Sequence, residues 1–126
     1  FEEGIDYKSY YVVPRDKRKF VFREGAKHGY LYEKLASIEN VNLFETFVVS
    51  IKPGSSGEKK LFSHEGYEFM YLLKVRIKMF MNHEVVELNE GDSIAFNSKI
   101  PHYAESLTED DSKVLSVRIK SRNIKN

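Results

Sequence analysis

Apolar residues in this chain come in short runs, each closed by residues that turn the backbone. Residues 10–13 end at Pro14, residues 20–22 follow the charged stretch 15–19, and residues 30–35 follow a turn from Gly25 to Gly29. The longest run, 43–51, stops at Pro53-Gly54-Ser55-Ser56-Gly57, a loop signal. Runs at 67–73 and 76–81 lead into a tight turn at Asn82-His83, and 84–88 is broken by Asn89-Glu90-Gly91-Asp92. Runs at 94–96, 102–106 and 114–119 complete the series. Turns recurring about every 8–12 residues between such runs predict an all-β sandwich or barrel. Only residues 30–37 have a helical alternative, and that stretch is marginal in length for a helix. No internal repeat or low-complexity tract interrupts the pattern, so residues 1–126 are read as one domain.

Composition narrows this picture. A length of 126 residues suits a single core, and eight Tyr with nine Phe favour strands, where aromatic side chains pack well on a pleated surface. Twenty basic against nineteen acidic residues leave a net charge of +1, which offers no field for nucleic acid or a membrane. By itself the chain is therefore expected to bind duplex DNA weakly and without sequence preference. The 15–19 cluster and the basic tail 120–126 read as solvated surface. With no Cys, disulfides, thiolate ligands and cysteine nucleophiles are excluded. No apolar run approaches the roughly 18 residues of a membrane span, and no secretory signal is visible, so a cytoplasmic location is expected. Because the chain begins at Phe1, it is read as a piece of a longer protein.

The candidate chemistry lies in three residues. His64 and Glu68 stand four apart in SHEGYEFMYLL, and His102 follows in GDSIAFNSKIPHYAES. Read as one strand from Ser63 to Leu73, the first segment turns Phe62, His64, Gly66 and Glu68 to a common face. Two histidines and one carboxylate can hold a divalent metal on one side and leave other positions open to a ligand. Zinc, iron and nickel all suit this donor set. Ligating histidines must be neutral, so affinity is expected to fall as pH drops below about 6.5. A second reading stays open, in which His64 and His102 are hydrogen-bonded interior histidines that bind no metal. Glu68 is harder to read that way, because a carboxylate aimed into an aromatic interior is costly unless paired or coordinated. Phe62 and Met70 are assigned to the apolar wall of a ligand pocket, with barrel filling as the plainer reading of both, and Met79 and Met81 are read as barrel filling. His28 and His83 lie in glycine- or asparagine-flanked turns and are read as exposed, without a role. No nucleophile elbow, phosphate-binding glycine loop or Cys-His cluster is present, and no catalytic residue is assigned.

These residues carry a family resemblance. The stretch 53–117 resembles the cupin superfamily, whose first motif holds a glycine, two histidines around one residue, a glutamate and another glycine. His64 matches the second histidine and Glu68 the glutamate. Gly91-Asp92 and Pro101-His102 fill the places of the second motif. The resemblance implies a double-stranded β-helix barrel, or jelly roll, of about 8–11 strands, with the N-terminal strands adding to one sheet. More narrowly, SHEGYEF with a later IPH looks like the C-terminal sensor of helix-turn-helix regulators of the xenobiotic-response-element type. The segment FEEGIDYKSYYVVPRDKRKFVF resembles the stretch just after the DNA-binding helices in those proteins. Iron-dependent epoxidases of the same architecture use the same His, Glu, His set.

The chain departs from the family pattern at several places. Phe62 stands where many cupins have their first histidine, which points to three protein ligands instead of four. Val75 replaces the glycine that closes the first motif, and His83 a glycine common after Asn82. Lys99 replaces a glycine and Ser106 an asparagine of the second motif. Turns of this kind often need φ > 0, which a β-branched residue tolerates badly, so the backbone at Val75 is expected to differ from the family's. Two function classes compete. One is a small-molecule effector sensor that acts on DNA only through a helix-turn-helix domain absent from this chain. The other is a metal-dependent enzyme of the oxygenase, epoxidase or isomerase type. Strands apolar on both faces, Phe69–Leu73 beside Glu68–Leu72, lead to the expectation of a homodimer.

Overall fold

The computed structural model describes residues 10–38, 43–54 and 61–120. Within these residues the chain forms β1 (Lys19–Val21), β2 (Leu31–Lys34), β3 (Phe44–Ile51), β4 (Tyr67–Lys74), β5 (Arg76–Met81), β6 (Glu84–Asn89), β7 (Ser93–Asn97), β8 (His102–Ser106) and β9 (Ser112–Ile119). Two short 3-10 helices, η1 (Arg15–Lys17) and η2 (Glu24–His28), precede β1 and β2. A six-stranded antiparallel sheet runs in the order β1-β2-β3-β9-β4-β7, and a three-stranded one in the order β6-β5-β8. Inward residues of both sheets share one core, which gives the all-β jelly roll the resemblance implies. As expected, β1 and β2 extend one sheet.

Strand periodicity decides which side chains reach that core. On β3, Phe47, Val49 and Ile51 alternate inward, opposite Ser116, Val114 and Ser112 of β9. On β4, Glu68, Met70 and Leu72 point inward and are buried, while Tyr67, Tyr71 and Leu73 point outward and are exposed. Met79 is buried in the core and Met81 packs against it, as barrel filling.

The pattern misleads in two places and leaves a third open. Residues 10–13 form no strand, and Tyr10 and Val12 are exposed. The stretch 30–37 is not helical: Leu31–Lys34 pairs antiparallel with β3, and cross-strand partners outweigh a weak helical period. The strand expected from Ser63 begins only at Tyr67, because Gly66, at φ 99, bends the chain just before it. Residues 55–57 of the expected loop, 1–9 of the regulator-like segment and 121–126 of the basic tail lie outside the described residues.

Val75 corrects a further expectation. The chain passes there from one sheet to the other, and Val75 keeps the left-handed turn at φ 75. Only its amide finds help, donating to Glu90 Oε2 at 3.1 Å. A left-handed L-residue costs about 1–2 kcal/mol, more when β-branched. Val75→Gly is therefore expected to stabilise the protein by about 1 kcal/mol after the entropic cost of glycine is counted. An unchanged or lower urea midpoint would show that the turn carries no strain.

The edge strand β8 sets up the functional region. His102 exchanges both backbone hydrogen bonds with Phe62, at 2.7 and 2.9 Å. Ala104 donates its N–H to the Tyr30 hydroxyl at 3.0 Å, and the same hydroxyl donates back to the Ala104 carbonyl. Ser106 donates to the Lys52 carbonyl at 2.9 Å. Alternate residues of the edge are thus satisfied without another full strand, which keeps β8 from offering open backbone groups.

Candidate metal centre

His64, Glu68 and His102 converge at one end of the lumen. One ligand atom from each lies within 4.8 Å of the others. Glu68 projects inward from β4, and His102 from the first position of β8. His64 stands in the bend before β4, where its N–H donates to the Ser98 carbonyl at 3.0 Å and Ser98 donates to Gly66 at 2.9 Å. That clamp and the left-handed Gly66 turn the imidazole back over Glu68. The two residues meet as the sequence implies, though through a bend and not a continuous strand.

The three side chains present lone pairs to a common point. His102 Nδ1 lies 2.6 Å from the Ile100 carbonyl, which can only accept, so Nδ1 carries the proton and Nε2 the lone pair. Burial holds the His102 pKa below the ordinary value, against the opposing pull of that carbonyl and of Glu68, so the neutral ring is favoured. Glu68 Oε2 accepts from Ser116 Oγ at 2.8 Å. Glu68 Oε1 lies 3.7 Å from His64 Nε2 and 3.9 Å from His102 Nε2, too far for hydrogen bonds. His64 Nε2, Glu68 Oε1 and the nearby Arg118 Nε are all buried with no hydrogen-bond partner. Buried polar atoms rarely lack partners. Two of them, His64 Nε2 and Glu68 Oε1, carry lone pairs and fit a shared ion, and spacings of roughly 3–4 Å suit two ligands of one metal; Arg118 Nε can only donate. The donor set fits zinc, iron or nickel.

Two charged residues complete the site, and neither stands out in the sequence. Arg118 Nη1 and Nη2 donate to the two carboxylate oxygens of Glu24 at 3.2 and 2.5 Å. Glu24 Oε2 also stands 3.5 Å from His64 Nε2. Arg118 continues the inward alternation Ser112, Val114, Ser116 of β9, which was a readable signal. Glu24 lies on η2, where no period marks a direction. Burial opposes ionisation of Glu24, but the hydrogen bonds and charge of Arg118 outweigh it and hold the carboxyl below its ordinary 4.5. A depressed carboxylate pKa stabilises fully above the unfolded value and loses that contribution as pH falls through the folded value. Glu24→Gln is therefore expected to flatten the loss of stability below about pH 4.5, seen as a smaller drop in melting temperature between pH 5 and 3. An equally steep drop would remove Glu24 from the acid response.

A small cavity of about 30 Å³ extends from this centre into the lumen. Phe62 and Met70 both line it, with Tyr30, Tyr103, Val49 and Ile51. His28 is half-buried, not exposed as expected, with its ring 5.5 Å from that of Phe62 and 6.0 Å from that of Tyr103. His83 is exposed in its turn. Among the described residues no helix is long and apolar enough to cross a membrane.

Comparison with known proteins bears on this arrangement. The family model described as "Cupin domain" matches residues 47–118, which contain all three converging residues. Comparison with curated protein sequences finds no match. Among solved structures, Fe(II)-HppE with the alternative substrate (S)-1-HPP is similar at a TM-score of 0.77 and 20% identity. That likeness covers 90% of this chain and 63% of the other. Hydroxypropylphosphonic acid epoxidase from S. wedmorenis in complex with fosfomycin is similar at 0.72 and 19%, covering 94% of this chain and 61% of the other. An RmlC-like cupin from Shewanella frigidimarina NCIMB 400 is similar at 0.68 and 13%, covering 91% and 95%. At these identities the likeness is one of fold, and the chain spans less than two thirds of the epoxidase chains' length.

Proposed function

The chain belongs to the cupin domain family, and on that footing we propose that it is the metal-centred, effector-sensing C-terminal domain of a helix-turn-helix transcription regulator. His64, Glu68 and His102 hold a divalent ion, zinc, iron or nickel, and the small-molecule effector enters the lumen beside Phe62 and Met70. The observation that carries the metal is the meeting of buried, partnerless His64 Nε2 and Glu68 Oε1. When bound, the ion supplies Lewis acidity and open positions for a donor atom of the ligand.

Sensing is favoured over turnover by how the lumen's other polar groups are used. The Tyr30 hydroxyl is committed to Ala104, that of Tyr32 accepts from Gly25 N–H at 3.1 Å, and Glu24 is paired with Arg118. These groups serve the fold and the ion pair. Exposed Tyr67, Tyr71 and Leu73 on the outer face of β4 support a homodimer, which a scattering mass of twice 14.7 kDa would test. For the sensor, the test is DNA affinity of the full-length regulator with and without zinc. A shift of roughly 5- to 150-fold that Glu68→Ala removes is expected. Equal affinity in both conditions, or sequence-selective DNA binding by this chain alone, contradicts it.

A second reading, a metal-dependent enzyme of the oxygenase, epoxidase or isomerase type, draws on the open positions of a three-ligand centre and on the likeness to Fe(II) epoxidases. Oxygen uptake by the Fe(II)-loaded chain above that of Glu68→Ala would favour it over sensing.

A further inference from the structure

We propose that the lumen takes a small organic monoanion, with Arg118 as the cationic group that selects it and Glu24 as the counter-charge that sets its affinity. This rests on the metal-centred reading and adds the chemical class of the ligand.

Arg118 is placed to receive an anion. Its side chain is only 15% exposed, and its guanidinium lies 5.7 Å from the centroid of the Tyr32 ring and 5.6 Å from that of Phe47, which fixes its position. Both Nη groups are held by Glu24, yet Nε is buried without a partner, 3.9 Å from Glu68 Oε1. Arg118, Glu24, Glu68 and His102 line the same cavity. One unused N–H therefore stands beside the metal donors, within reach of a ligand whose anionic group also occupies an open coordination position.

Charge then selects the ligand. With a divalent ion bound, Glu68, Glu24 and Arg118 leave the lumen with one net positive charge. Uncompensated charge in an apolar interior is costly, and a monoanion removes it. A neutral ligand leaves the charge in place, and a dianion reverses it unless Glu24 moves away. The rest of the wall, Tyr30, Val49, Ile51, Phe62 and Met70, is aromatic or aliphatic and suits a carbon body. At about 30 Å³ the free space holds only a few atoms, which limits the carbon body to about the size of that in acetate.

The test uses the whole chain loaded with cobalt(II), whose visible spectrum reports a new ligand, titrated with acetate and with neutral acetamide. Acetate is expected to change the spectrum, and acetamide is not at the same concentration. Arg118→Gln should weaken acetate tenfold or more while cobalt affinity holds or rises, because a positive neighbour of the ion is gone. Glu24→Gln should tighten acetate severalfold. A purely structural Arg118 would instead weaken cobalt and acetate together. Should Arg118→Gln fail to fold, the double variant with Glu24→Gln removes both buried charges as a unit, and its loss relative to Glu24→Gln alone isolates the arginine. No cobalt uptake by the wild type overturns the metal-centred reading and this proposal with it. Cobalt uptake with equal acetate binding in wild type and variants, or equal response to acetamide, overturns this proposal alone.

Discussion

Glu68→Gln is expected to abolish the stabilisation that zinc confers on this protein. A ligand that binds only the folded state stabilises it by about 2.7 kcal/mol at one hundred times its dissociation constant. For a domain of this size that is roughly 10 °C in melting temperature. Glu68 Oε1 is the anionic donor between His64 Nε2 and His102 Nε2, so replacing it with an amide weakens the site at its centre. The amide keeps the side chain's size and leaves an acceptor for Ser116 Oγ, so the metal-free variant should melt within a few degrees of wild type. Glu68→Ala should lose the zinc effect as well, with a slightly larger cost to the metal-free fold from the stranded Ser116 hydroxyl. Equal zinc stabilisation of wild type and both variants would place any bound zinc elsewhere.

Tyr30→Phe is expected to cost about 2–4 kcal/mol, a large part of the 5–15 kcal/mol typical of a folded domain. The ring itself would be preserved, with its stacking on Tyr103 at 5.7 Å. What is lost is one hydroxyl that accepts from Ala104 N–H and donates to the Ala104 carbonyl. Both backbone groups are buried in the edge of β8, and leaving a buried group unpaired costs about 1–3 kcal/mol. Burial also raises the Tyr30 pKa, with Tyr103 adding to it, so the hydroxyl stays protonated and able to donate throughout the neutral range. Since Ala104 lies two residues beyond His102 on the same strand, weaker zinc binding should accompany the loss. A urea midpoint within a few tenths of a kcal/mol of wild type would mean that water replaces the hydroxyl without penalty.

Much of this architecture was legible because a strand writes itself in period two. Phe47, Val49 and Ile51, or Glu68, Met70 and Leu72, show their inward face without any knowledge of their partners. His64 and Glu68 met for a related reason: spacing by even numbers survives a bend when a glycine with positive φ and paired neighbours hold the direction. Residues 10–13 misled because apolar character alone does not make a strand when no neighbour pairs with it among the described residues. Residues 30–37 were ambiguous because only four of them, Leu31–Lys34, form the strand, too few to separate the two periods. The Glu24–Arg118 pair stayed hidden for two different reasons. Glu24 lies on a 3-10 turn, where sequence spacing gives no face, and Arg118 sits in the apolar run 114–119 without a charged partner nearby in the sequence to mark it. Its burial depends on a partner 94 residues away, which no local pattern reports. Val75 was misjudged in the opposite sense: the fold keeps the left-handed corner and tolerates the side chain.

Zinc-edge X-ray absorption on the loaded protein tests the metal centre most directly. The expected result is one zinc per chain with two imidazole nitrogens and at least one carboxylate oxygen at about 2.0–2.2 Å, the imidazole signal falling in His64→Ala and His102→Ala. A coordination shell without imidazole, or one unchanged by either substitution, would contradict it.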